Sequence, residues 1–359
     1  MSISRRQFLQ LGTLALGGMA LRPLRGLLTL PDFPTYERLG RVATGRIEIK
    51  ARPDHESETV GVLYDDAVVP WVHEVVGYRP GRNNQRYVET PDGYIWSADL
   101  QPVRVQPNEP LTALPEKDGL RGMWVEVSVP YVDAALVNPP ARSPWIKHRL
   151  ESGLPPRLYY SQILWVDDLH IESDGQVFYR INERYGNPGD IFWADGRAFR
   201  PLTPEDCSPI HPEAENKRIV VDVTYDRQFL SCYEGDTEVY FCRISSGRGK
   251  GSTPITPVYS DGFPIWRKLF SVHMAGGTNA DGWDLPGIAW TSLFVGEGVA
   301  IHSTFWHNNF GEPMSHGCVN AAPEDARWIF RWTQPDVDFI AGDRTIVGSG
   351  STLVRVVEA

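Results

Sequence analysis

At 359 residues the chain exceeds what one ordinary core holds, so two or three domains are expected. Hydrophobic residues at 42% are globular in proportion, while 29 prolines and 33 glycines suit short strands and many turns better than long helices. A formal charge of −10 with no basic stripe leaves nothing to neutralise phosphates, which argues against a nucleic-acid partner.

The N-terminal segment (residues 1–35) opens with Arg5-Arg6, then Phe8-Leu9 and an apolar run to Leu21. This resembles a bacterial twin-arginine export signal, and the run is shorter than the ~20 residues of a membrane anchor. An exported protein in the periplasm or cell wall is therefore expected. No small-residue cleavage site is evident before Leu21.

Residues 38–105 carry short alternating runs, such as Arg46–Lys50, Val60–Tyr64 and Arg86–Val88, separated by turn clusters like Pro80–Asn84. That spacing predicts a small β-barrel. The stretch Gly93–Val103 (GYIWSADLQPV) resembles the closing strands of a bacterial SH3-like domain. Residues 118–208 read as a second, divergent SH3-like or β module, because Gly189–Asp195 (GDIFWAD) and Arg200-Pro201-Leu202 echo Gly93–Asp99 and Gln101-Pro102-Val103. A long irregular insertion is expected around Asn138–Pro156. The aromatics Trp96, Tyr159, Tyr160, Trp165 and Trp193 are expected in cores or domain contacts. Proline-rich 107–115 and 201–212 serve as linkers.

From Arg218 three strands are expected, Ile219–Thr224, Phe229–Tyr233 and Glu238–Ser245. A symmetric turn over Glu234–Thr237 would pair Cys232 with Val239 and Cys242 with Phe229, setting the two thiols on opposite faces. No structural disulfide is expected. Ser246–Ser252 is a glycine-rich loop without a following helix or a phosphate-binding lysine-serine, so it is no phosphate cradle. Strand-like Lys268–Met274 leads into Ala275–Pro286, which lacks periodicity and reads as a long loop of the kind that lids and binding loops use. Ile288–Phe294 and Gly298–His302 are strands. A helix is expected from Pro323, with acids in its first turn and Ala326, Ile329, Phe330 and Thr333 facing inward. Thr345–Val347 and Leu353–Val357 close the sheet.

Ile301–Asn320 (IHSTFWHNNFGEPMSHGCVN) concentrates the chemistry. A thiol is mostly protonated near neutral pH and attacks only when a base or positive field activates it. Cys318 follows a glycine, with His302 upstream as candidate base. Gly317 would let the backbone approach a substrate carbonyl, and the Gly317 and Cys318 amides would form an oxyanion hole. Two other readings use the same residues: a zinc site from His302, His307, His316 and Cys318, and an inert buried cysteine.

His302-Ser303, a short spacer and Ser315-His316-Gly317-Cys318-Val319-Asn320 resemble the signature of the L,D-transpeptidases (YkuD-like fold). The resemblance runs from Arg218 to the end and includes Val221-Asp222, Gln228, Leu230, Tyr233, Ser252-Thr253-Pro254, Trp306-His307 and Asp325-Ala326. Thr256 departs from it where glycine is common. The resemblance implies a mainly β chain, with a YkuD-like β-sandwich catalytic domain over 215–357 and a short helix after Cys318. It implies attack by Cys318 on the third residue of a peptidoglycan stem tetrapeptide, loss of D-alanine, and resolution of the thioester by a neighbouring stem's amine to give a 3→3 cross-link. His302 is the base, oriented by Ser303. His316 shapes the site, Ser315 and Asn320 tie the turn, and Trp306 and His307 line the rim. No cofactor or metal is called for, and a monomer acting on stem peptides in the cell wall is expected. The alternatives are a cysteine L,D-carboxypeptidase that hydrolyses the thioester and a non-catalytic wall-binding protein.

Overall fold

The computed structural model describes residues 28–187, 189–277, 282–296 and 298–358. The export-signal expectation falls on residues 1–27, outside the described residues. The chain is mainly β, with few and short helices.

In the first β domain, Leu39–Val42 pairs with Val68–Pro70 and Leu100–Val103, and a five-stranded sheet lies alongside. Alternation in Ile47–Lys50 turns Ile47 and Ile49 inward, where they meet Val42, Trp71, Val88, Ile95 and Leu100. The second β module is one seven-stranded sheet over a core that includes Val125, Val127, Leu164, Tyr179 and Phe199. The expected irregular insertion holds a helix, Pro144–Glu151, entered through Ser143, whose hydroxyl accepts from the Ile146 N–H. That serine-proline start is an ordinary helix entry, and the surrounding prolines obscured it. The internal echo also shifts. Both copies run strand, 3₁₀ turn, strand, with Gln101-Pro102 equivalent to Arg200-Pro201. The Trp-Ala-Asp likeness is out of register, since Trp96 and Asp195 each precede their turn.

The C-terminal domain carries a curled ten-stranded sheet. Its order is 263–264, 353–357, 217–222, 229–234, 237–245, 319–321, 299–303, 282–295, 267–277, 343–345. The helix Pro323–Trp332 is too short to be stable alone and buries Ala326, Ile329, Phe330 and Trp332 against the sheet. Each such large apolar side chain contributes roughly 1.5–3 kcal/mol. Lys217 and Lys268 close its C-terminal end. The Lys268 ammonium donates to the carbonyls of Phe330 (2.6 Å) and Thr333 (2.7 Å), and that of Lys217 donates to Trp332 (3.0 Å).

Three expectations change here. A bulge after Cys232 shifts the pairing to Cys232 with Tyr240 and Leu230 with Cys242, so both thiols lie on one buried face, not on opposite faces. The segment read as a long loop is the end of a hairpin, Arg267–Gly277 against Gly282–Val295, whose pairing is carried by the backbone and needs no side-chain alternation. The penultimate strand is Asp343–Thr345. The second module and the C-terminal domain also share a core. Trp124 and Trp165 of the second module join the C-terminal cluster, with Trp124 edge-on to Phe270 at 5.9 Å.

Candidate active site

Val299–Ser303 and Val319–Ala321 lie parallel, with His302 opposite Asn320. Extending that register by two residues sets Cys318 opposite Ala300, and indeed the Cys318 sulfur accepts from the Ala300 N–H. Side chains repeat every second residue along a strand, so Cys318 and His302 project from one face, with Cα atoms about 8 Å apart by strand geometry.

His302 is 3% exposed, and its Nδ1 lies 2.7 Å from the Ser303 carbonyl. A ring nitrogen facing a carbonyl must carry the proton, which leaves the lone pair on Nε2. Ser303 thus orients the ring through its backbone, not its hydroxyl. Burial lowers the His302 pKa to about 4, with the carbonyl acting the other way, so the ring is neutral near pH 7. Burial also pushes the Cys318 thiol up to about 11, offset in part by the Ala300 N–H. The thiol donates to the Gly298 carbonyl at 3.3 Å. At rest the face therefore carries a neutral thiol and a neutral imidazole.

Ser315 ties the turn that delivers Cys318. Its hydroxyl donates to the Cys318 carbonyl (2.6 Å) and accepts from the Gly317 N–H (3.0 Å). The resting turn thus holds the Gly317 amide internally and does not offer it as the expected oxyanion donor. Glycine is required at 317 by a different neighbour, because a Cβ there would sit 2.8 Å from the Ser252 carbonyl oxygen. Thr253 fixes the same contact, donating to the Gly317 carbonyl (2.8 Å) and accepting from the Gly247 N–H (2.9 Å). Thr256, the departure from the family pattern, accepts from the Val356 N–H at 2.8 Å and so holds the closing strand.

His307 is not on the rim. It is buried, with Nδ1 accepting from the Asn309 N–H (3.2 Å) and Nε2 2.9 Å from the Asn320 amide. The polar loop needs an internal partner there, and the ring supplies it. Trp306 is half-buried, its ring 5.9 Å from that of His302. His316 is exposed and stacks on Trp283 of the long hairpin at 4.5 Å. These positions do not converge as ligands, and no group of three His, Cys, Asp or Glu among the described residues could hold a metal.

Residues 216–354 match the family described as YkuD, L,D-transpeptidase catalytic domain. The segment is a YkuD L,D-transpeptidase catalytic domain. The fold is similar to an L,D-transpeptidase of Enterococcus faecium, a cysteine-to-serine variant, at 22% identity and TM-score 0.31, over 44% of this chain and 56% of that one. It is also similar to an L,D-transpeptidase of Mycobacterium smegmatis (16%, TM-score 0.31, 50% of this chain and 89% of that one). One from Mycobacterium tuberculosis gives 16% and TM-score 0.29 over 68% of this chain and 98% of that one. The search of curated proteins gave no match.

Several residues around the candidate site escape sequence reading. Trp283 arrives from the hairpin, and Arg248 lies close enough to disfavour a charge on His307, whose pKa is lowered to about 3, first by burial. A cavity of about 270 Å³ beside the turn is lined by Tyr225, Gly247, Arg248, Lys250, Thr253 and Pro313 among others. A larger one, about 420 Å³, shares no residue with the Cys318 site and holds Cys207, whose thiol burial pushes up to about 12. Size alone does not mark the chemistry. The acidic and amide residues Glu312 and Asn309 have no sequence signal; only their burial singles them out.

Proposed function

We propose that the chain is an exported peptidoglycan L,D-transpeptidase working through a Cys318 thioester. The carrying observation is the shared face of Cys318 and His302 on the parallel strands of the YkuD domain. His302 Nε2 takes the thiol proton as sulfur attacks the carbonyl of the third stem residue. The leaving D-alanine amine takes up that proton, and a thioester remains. An amine from a neighbouring stem then attacks, His302 again accepts its proton, and the thiol returns as a 3→3 link forms. Exchange of the terminal D-amino acid uses the same thioester with another acceptor. The neutral resting pair supports this order, because the nucleophile is generated only when a substrate carbonyl is there to receive it.

Purified protein is incubated with a stem tetrapeptide and followed by intact mass. A thioester adduct mapping to Cys318, absent from Cys318→Ala, and 3→3 dimers on adding an acceptor stem are expected. Trimmed peptide without dimers would make it a carboxypeptidase instead. Sacculus binding without an adduct would leave only a wall-binding role.

A further inference from the structure

The fifteen residues 304–318 joining the two site strands are irregular, and Phe305, Asn308 and Glu312 take partners from another domain. The Phe305 carbonyl accepts from Arg41 of the first β domain at 2.6 Å. The Asn308 N–H reaches the Ala98 carbonyl (3.4 Å), and its side-chain amide donates to the Ser97 carbonyl (3.0 Å). Glu312, 3% exposed, accepts from the Asn83 N–H (3.0 Å) and from Arg82 (2.8 Å). Arg41 is itself held. It pairs with Asp66 at 2.7 Å, and Asp66 pairs with Arg157 of the second module, also at 2.7 Å. Arg41 also lies over Tyr159, which stacks on Phe305 at 5.6 Å.

From Glu312 a continuous chain of contacts runs inward. Glu312 accepts from the Asn309 side-chain amide (3.1 Å), the Asn309 N–H donates to His307 (3.2 Å), and His307 meets Asn320 (2.9 Å). Asn320 stands opposite His302 and two residues beyond Cys318. Ordering an irregular backbone costs about 1–2 kcal/mol per residue, and these loop residues draw much of the compensation from another domain.

We infer that the first β domain is a positioning element of the Cys318–His302 centre, with Arg41 and Glu312 as its positioning residues. The inference builds on the proposed thioester chemistry but concerns how the loop is held. An accessory module that only tethered the enzyme to the wall would not have its arginine buried in the catalytic loop.

The test uses the full chain and three variants: Glu312→Gln, Arg41→Lys, and Glu48→Gln, a control whose exposed carboxylate pairs with Lys50 and Thr59 of the same domain. Thioester formation is measured at saturating tetrapeptide, with Cys318 alkylation by iodoacetamide followed by peptide mapping, and with thermal melts. The first two variants are expected to slow the saturating rate at least tenfold while half-saturation moves less than threefold, and the control to match wild type. A lowered melting temperature with an unchanged saturating rate would overturn the inference. If Glu312→Gln does not fold, Asn308→Ala carries the test, with at least a threefold loss expected and an unchanged rate overturning it. Were wild type to give no thioester, the functional reading would fail and alkylation alone would decide. A threefold or greater change in the Cys318 rate upholds the inference, and equal rates refute it.

Discussion

His273 sits in the long hairpin between two carboxylates, 2.6 Å from Glu183 of the second module and 2.8 Å from Asp284 of the neighbouring strand. Burial disfavours its charge, but the two carboxylates outweigh that and raise the pKa to about 10. Folded and unfolded chains both hold the proton below pH 6.5, so the stabilisation is complete there and is lost as pH rises toward 10. The shift corresponds to about 5 kcal/mol as a ceiling at 1.36 kcal/mol per unit. Replacing His273 with glutamine removes the cation and keeps an amide beside both carboxylates. Urea midpoints of wild type and His273→Gln, measured from pH 6 to 10, are expected to differ most at pH 6 and to converge by pH 10. Taking the difference removes every group common to both chains. Parallel curves, or a difference that moves in favour of wild type as pH rises from 6, would refute the imidazolium, since a His273 neutral in the fold titrates only in the unfolded chain.

Other outcomes follow from the site and its supports. Iodoacetamide should alkylate Cys318 at a rate rising about tenfold per pH unit between 7 and 9, because a thiol near 11 is ionised only on the order of one part in ten thousand at pH 7. A plateau from pH 6 to 8 would instead signal a thiolate–imidazolium pair. Thr253→Val strips Gly247 and Gly317 of a shared partner; a loss of about 1–3 kcal/mol is expected, read as a lower urea midpoint, together with slower thioester formation. Burial lowers the Lys268 pKa to about 7. At this residue the unfolded chain therefore binds more protons between pH 7 and 10, so the contribution of Lys268 to stability rises over that range, opposite in sign to that of His273. Lys268→Met removes that contribution, so the urea midpoint of wild type relative to the variant should be higher at pH 10 than at pH 7, and an unchanged difference would refute it.

The fold was most legible where local physics and tertiary need agree. The three opening strands and the helix from Pro323 appear as expected because their apolar periodicity is also their buried face. Reading fails where backbone pairing acts without a side-chain pattern. The hairpin end around Gly276 and Trp283 has no alternation, yet its strands pair as far as Gly277 and Gly282. The bulge after Cys232 is a one-residue event that symmetric counting cannot see, and it reverses which face Cys242 occupies.

The chain's own letters singled out Cys318 and His302 as a candidate pair, because Ser315–Asn320 and His302-Ser303 can be recognised as a motif wherever they stand. Motif and spacing could not decide what each neighbour does. Gly317 is glycine because Ser252 crowds it, and His307 is an internal strut because the polar loop around it is buried. Only the packing of three domains brings Arg41 to Phe305 across more than 250 residues of sequence. Such contacts are set by the docking of whole sheets, and no local pattern encodes them.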